Sequence, residues 1–81
     1  MTIEVRVNYF ALFREIRGLA SESCLTDAST LAELYDELRC KYGFNLSRQI
    51  LRVAKNDELS DWDEGLNSGD RIVFIPPVAG G

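Results

Sequence analysis

The chain has no histidine, so the side chain most used for proton transfer near neutral pH, and a principal zinc ligand, is missing. Its only cysteines, Cys24 and Cys40, lie too far apart for a CxxC element, and without histidine they do not complete a usual zinc site, so no metal site is expected. Nothing suggests secretion. Both thiols are therefore read as reduced and buried or half-buried, with a disulfide between them left open. Basic charge is also short: nine Lys and Arg against thirteen Asp and Glu give a formal net charge of −4. That balance argues against nucleic acid or an anionic membrane as the main partner and makes a basic protein surface the more natural match. Apolar residues come in short periodic groups, without the long run of a spanning helix or a signal peptide, and a soluble cytoplasmic protein is the expectation. No phosphate loop, nucleophile elbow or recognisably spaced acid and base is present. Serine, cysteine and tyrosine side chains have no visible activating partner, so a stand-alone enzyme with catalytic side chains of its own is the least favoured reading.

What remains is a folded composition in a small frame. The 81 residues are 46% hydrophobic and 27% charged, which fits one globular domain near the lower size limit for a self-sufficient core. Ile3, Val5, Val7 and Tyr9 alternate with Glu4, Arg6 and Asn8, the period of a half-buried strand. Phe10 then falls on the polar side: either the strand has ended there or a large aromatic is exposed for a purpose. Ala11 to Arg17 reads as a short helix closed by Gly18, and Leu19 to Thr26 as a weaker strand paired with the first. Thr30 and Glu33 have capping-box spacing, and Leu31, Leu34, Tyr35, Leu38 and Tyr42 then form one apolar stripe ending at Gly43. Such a helix of about thirteen residues spans roughly 20 Å, enough to cross a small sheet.

Residues 50 to 55 read as a third strand, Asn56-Asp57 as a turn, and Glu58 to Ser60 as a short edge strand. Asp61, Asp63 and Glu64 surround Trp62 without the ligand order or glycine of a calcium loop, and read as a solvated acidic loop. Arg71 to Ile75 is the last strand, with apolar residues on both faces. That pattern fits a central strand covered on both sides or a strand whose outer face is reserved for a partner. The order predicts an α+β domain, a mixed sheet of four to five strands with one main helix packed across it and the second face partly open.

The sheet should stop at Ile75, because Pro76 and Pro77 fix φ and withhold backbone donors. Val78, Ala79, Gly80 and Gly81 would then form a flexible tail beyond a domain of residues 1–77. Extended, they would reach roughly 13 to 14 Å past Pro77. Glycine has no Cβ, so a diglycine end can thread a channel too narrow for other residues and present an unshielded carboxyl carbon. The expectation is that chemistry sits on the main chain, at the carboxylate of Gly81; the bland alternative is a frayed terminus.

Several segments resemble the small-subunit family of molybdopterin synthase, ubiquitin-like β-grasp sulfur carriers. Phe10-Ala11-Leu12-Phe13-Arg14-Glu15-Ile16-Arg17-Gly18 looks like the family's F-A-x-x-R-E-x-x-G stretch, and Asn56 sits where the family has its V-N turn. Ser68 to Gly81 is similar to D-G-D-x-V-x-F-x-P-P-V-x-G-G nearly throughout. The departures are Lys55 in place of a common valine and Ser68 in place of the first aspartate.

The resemblance implies that an E1-like adenylyltransferase uses ATP to convert Gly81 to an acyl-adenylate. A persulfide sulfur donor then yields a thiocarboxylate, which the large synthase subunit presents to the cyclic pterin precursor within a heterotetramer, for molybdenum cofactor biosynthesis. No permanently bound cofactor is implied. Activation is needed because a carboxylate with a reference pKa of about 3.5 is anionic and a poor electrophile at neutral pH. Gly81 takes the covalent role, Gly80 and Ala79 allow channel passage, and Pro76-Pro77 set the exit geometry.

Phe10, Leu59, Val73 and Ile75 are candidates for a partner-docking patch, their alternative being residual core or a second minicore. Arg14, with Glu15, is either a rim contact or an ordinary exposed helix charge. The rival readings are a carrier for thiamine or tRNA thiolation, a ubiquitin-like modifier conjugated through Gly81, and a plain binding module using its sheet edge.

Overall fold

The computed structural model describes residues 2–76. Its elements are β1 (Ile3–Tyr9), α1 (Ala11–Arg17), β2 (Ser21–Thr26), α2 (Leu31–Tyr42), β3 (Arg52–Lys55), β4 (Glu58–Ser60) and β5 (Arg71–Ile75), with a 3-10 turn at Arg48–Ile50 before β3. Among the described residues the five strands form one sheet in the order β2-β1-β5-β3-β4. β1 and β5 are parallel neighbours at its centre, and the other pairs are antiparallel.

The alternation in β1 is realised: Val5, Val7 and Tyr9 are buried against α2, and Ile3 packs partly on the same core. From β5 come Ile72 and Phe74, from β3 Val53, and from α2 Leu31, Leu34, Tyr35 and Leu38. The apolar stripe of α2 thus faces the sheet, while Tyr42 at its end is only partly buried. An aromatic cluster fills the centre, with Phe13 4.9 Å from Phe44 and Tyr35 5.0 Å from Phe74 between ring centroids, both edge-on.

The N-terminus of α2 is satisfied from two sides. Thr30 Oγ1 accepts from the Glu33 amide, and the Glu33 carboxylate accepts from the Ser29 amide, a variant of the capping box. The first two helical amides reach further: Leu31 donates to the carbonyl of Glu64 at 3.0 Å and Ala32 to that of Trp62 at 2.9 Å. The loop read as merely solvated therefore has a structural task. Its acidic side chains are exposed, but its backbone caps the main helix, and Trp62 stacks on Phe74 at 6.1 Å and 11°.

Two strand boundaries and the burial of one cysteine differ from expectation. β2 starts at Ser21, with Leu19 and Ala20 exposed ahead of it. β3 starts at Arg52, because Ser47 accepts from the Gln49 amide and turns residues 48–50 into a 3-10 helix with Ile50 exposed. Cys40 is exposed, since it falls off the α2 stripe two positions after Leu38; Cys24 is half-buried, and both thiols are free.

The turn between β3 and β4 is tied to the start of β5. Asn56 and Asp57 have φ of 54° and 74°, a left-handed pair suited to a two-residue hairpin. Asn56 Nδ2 donates to Asp70 Oδ1 at 3.0 Å, the Asn67 amide donates to Asp70 Oδ2 at 2.8 Å, and the Arg71 amide donates to Asn56 Oδ1 at 2.9 Å. Asp70 is buried, so replacing it by alanine strands two donors. Asp70→Ala should cost about 1–3 kcal/mol in chemical denaturation, whereas Ser68→Ala beside it should cost less than about 0.5 kcal/mol.

Candidate functional site

The helices cover one face of the sheet, and the other face is where the sequence-derived docking residues gather. Strand registers place Leu59, Ala54, Val73 and Asn8 in one row across β4, β3, β5 and β1. The next row toward the end of β5 sets Arg52 opposite Ile75. Leu59 is 68% exposed, while Val73, Ile75 and Ala54 are half-buried. Directly opposed side chains on one sheet face lie close enough to pack, so Leu59, Ala54 and Val73 form a continuous apolar strip, with Ile75 beside it. Ala54 is a member that single-strand alternation did not single out; only the cross-strand register reveals it.

Phe10 is 52% exposed and has extended backbone, which continues the β1 alternation onto this same open side. Immediately after it Ala11 has φ of +48°, a left-handed conformation uncommon for a residue with a Cβ. This corner turns the chain from β1 into α1 and leaves Phe10 standing as an N-cap without a side-chain bond. Arg14 is exposed on α1, outside the strand rows that carry the strip. β5 ends at Ile75, as the prolines require, and Pro76 is half-buried. The chain therefore leaves the sheet at the apolar end of the open face. Pro77, Val78, Ala79, Gly80 and Gly81 lie outside the described residues.

α1 is held down by a polar network that sequence reading did not find. Arg17 Nε and Nη2 donate to the two oxygens of Glu22, each at 2.8 Å, and Tyr9 Oη donates to Glu22 Oε2 at 2.6 Å. The Arg17 guanidinium also lies 3.8 Å above the Tyr42 ring. A buried aromatic facing an acid on the neighbouring strand carries no sequence signal until the register is known. The hydrogen bonds from Arg17 hold the Glu22 carboxyl below its ordinary value against the opposing effect of burial, with the Tyr9 hydroxyl helping. Burial and Glu22 push the Tyr9 phenol far up, so it remains a donor at neutral pH. Burial likewise raises the Cys24 thiol, which makes it a poor nucleophile.

Because Glu22 has a folded pKa below its unfolded one, its contribution is fully present above about pH 4.5 and is lost as pH falls through the lower folded value. Glu22→Gln should therefore lower stability at pH 7 and flatten the loss of stability below pH about 4.5, as read by urea midpoints across pH. An unchanged slope would assign the acid sensitivity to other carboxylates.

A mixed five-stranded sheet crossed by one main helix, with its first and last strands parallel at the centre, is a ubiquitin-like β-grasp domain. The chain belongs to the ThiS family of sulfur carriers, whose family profile matches residues 7–81. It is 30% identical over 80 residues to the molybdopterin synthase sulfur carrier subunit of Escherichia coli (strain K12), covering 95% of this chain and 99% of that protein. Among solved structures it is similar to the complex of subunits 1 and 2 of molybdopterin-converting factor from Helicobacter pylori 26695, with TM-score 0.66 and 32% identity, covering 98% of this chain and 100% of the matched one. A small archaeal modifier protein from Haloferax volcanii shares the fold alone, at TM-score 0.78 and 23% identity over 96% of this chain and 99% of its own. No helix among the described residues is long and apolar enough to cross a membrane.

Proposed function

We propose that this chain is the sulfur carrier subunit of molybdopterin synthase, in the cytoplasm, and that the carboxylate of Gly81 is its working group. The observation that carries this is the likeness to carrier subunits of that synthase over nearly the whole of both chains, together with an exposed apolar strip where β5 leaves the sheet. An E1-like adenylyltransferase spends ATP to make Gly81 an acyl-adenylate, which turns an anion into an electrophile. The outer sulfur of a donor persulfide attacks the acyl carbon and AMP leaves; a thiol then cleaves the resulting acyl disulfide, is itself oxidised into a new disulfide, and releases a thiocarboxylate that is a strong nucleophile. The large synthase subunit receives the tail and holds the anionic pterin precursor with basic groups of its own. Gly80 and Ala79 keep the tail thin, Pro76 and Pro77 start it away from the sheet, and Phe10, Leu59, Val73 and Ile75, with Arg14 at the rim, grip the partner.

The domain contributes no catalytic side chain to this scheme and no resident cofactor. Intact-protein mass spectrometry after co-expression with the adenylyltransferase and a persulfide source tests it. A discrete change of one oxygen for one sulfur supports a carrier, and transfer of that sulfur to the pterin precursor by the large subunit identifies the pathway. A thiocarboxylate used only for thiamine or tRNA thiolation overturns the pathway and keeps the carrier. The modifier fold likeness makes a second outcome specific: a ladder of isopeptide conjugates would replace the carrier reading by protein modification.

A further inference from the structure

Residues 10–19 form an excursion from the sheet, closed at its base where the Tyr9 amide donates to the Ala20 carbonyl at 2.7 Å. The excursion carries much of the apolar surface that the molecule leaves open. Of the large hydrophobic residues exposed among the described ones, Phe10, Leu12, Ile16 and Leu19 lie on it, against Leu25, Ile50 and Leu59 elsewhere. Arg14 is exposed on it too. Yet little within the excursion fixes its orientation. It turns on Ala11 at φ of +48°, α1 has no side-chain N-cap, and the buried residue of that short helix is Phe13. A helix pinned by one ring can still swivel about it.

Glu22 on β2 removes that freedom, because its carboxylate holds the excursion from both ends. Tyr9, the residue before Phe10, donates its hydroxyl to Oε2 at 2.6 Å; Arg17, the last residue of α1, donates Nε to Oε2 and Nη2 to Oε1, each at 2.8 Å. Both side chains of the Arg17 and Glu22 pair are only 20% exposed, and a two-pronged guanidinium contact fixes orientation as well as distance. The Tyr42 ring, 3.8 Å from the guanidinium, ties the same clamp to the end of α2. We propose that Glu22 is a positioning residue for partner binding: by clamping Tyr9 and Arg17 it holds Phe10 in the orientation that the large synthase subunit engages. Glu22 touches no partner itself and acts through the corner at Phe10 and Ala11. A corner already held loses less conformational freedom on association than a loose one. The inference rests on the proposed carrier role, which supplies that partner.

Binding to the large synthase subunit, measured by titration calorimetry at a temperature where urea midpoints show every variant folded, tests the clamp. Glu22→Gln should weaken binding about tenfold. Phe10→Ala should weaken it by on the order of thirtyfold, and adding Glu22→Gln to Phe10→Ala should cost no further affinity, the non-additivity of a residue that acts through another. In synthase turnover with thiocarboxylated carrier, Glu22→Gln should raise the half-saturating concentration and keep the maximal rate, since the end of the chain is unaltered. Tyr9→Phe keeps the buried ring and frees only the near end of the clamp; it should weaken binding about threefold, and it replaces Glu22→Gln in the same cycle if that variant does not fold. Unchanged binding by the folded clamp variant or by Phe10→Ala, or losses that simply add in the double variant, overturns the positioning inference and leaves the carrier intact. Wild type that does not bind the large subunit overturns the synthase reading, and this inference with it.

Discussion

Removal of Gly81 is expected to abolish thiocarboxylate formation while leaving the melting temperature within about 2 °C of wild type. The first half follows from chemistry at the main chain. Activation requires the carboxyl carbon at a defined reach from the gripped domain, and deleting one residue withdraws it by about 3.5 Å. Reacting groups must meet within a few tenths of an ångström of the productive geometry, so a shortfall of that size leaves nothing to attack. The new terminus, Gly80, is chemically almost the same, which makes position the only variable. Adding an alanine after Gly81 should be as damaging, because it shifts the carboxylate outward and puts a Cβ on the last residue. The second half follows from the core, whose buried members among the described residues lie between Val5 and Phe74. A shortened chain that still acquires sulfur would place the acceptor elsewhere and end the main-chain assignment.

Much of this architecture can be read from local pattern. The alternation of Ile3 to Tyr9, the Thr30 cap and the Leu31 to Tyr42 stripe are short-range signals, and the strands and helix they predict form where expected. The prolines place the end of β5 as well. What escapes is non-local. The carbonyls of Trp62 and Glu64 cap a helix that begins some thirty residues earlier, and nothing near Trp62 in sequence announces that. The gathering of guanidiniums on the open face is hidden for the same reason: Arg6, Arg52 and Arg71 are far apart in sequence and share one face only through the registers of β1, β5 and β3. Whole-chain charge averages them away. Conversely, the diglycine reading of Gly80 and Gly81 rests on sequence, family and chemistry.

Phe13 is the sharpest case of a residue whose weight only the structure reveals, and Phe13→Ala should be the most destabilising exchange in α1. Seven residues are too few for a helix to persist on its own propensity, and this one has no N-cap side chain and a strained Ala11 at its start. Its attachment depends on tertiary contacts. Phe13 is fully buried, with ring centroids 4.9 Å from Phe44, 6.2 Å from Tyr35 and 6.3 Å from Phe74. Truncation removes three edge-on aromatic contacts and opens a cavity among rings that cannot collapse around it, at a cost of about 3–5 kcal/mol. A domain of this size is stable by only about 4–12 kcal/mol, so the melting temperature should fall by on the order of 20 °C. Leu12→Ala, one residue earlier and 40% exposed, should cost less than about 1 kcal/mol, and Phe13→Leu should recover part of the loss. If Phe13→Ala costs no more than Leu12→Ala, α1 is held by the Arg17, Glu22 and Tyr9 network and not by the ring. If the ring holds it, loosening α1 frees the corner that presents Phe10, and partner affinity should fall in Phe13→Ala even at temperatures where the rest of the sheet remains folded.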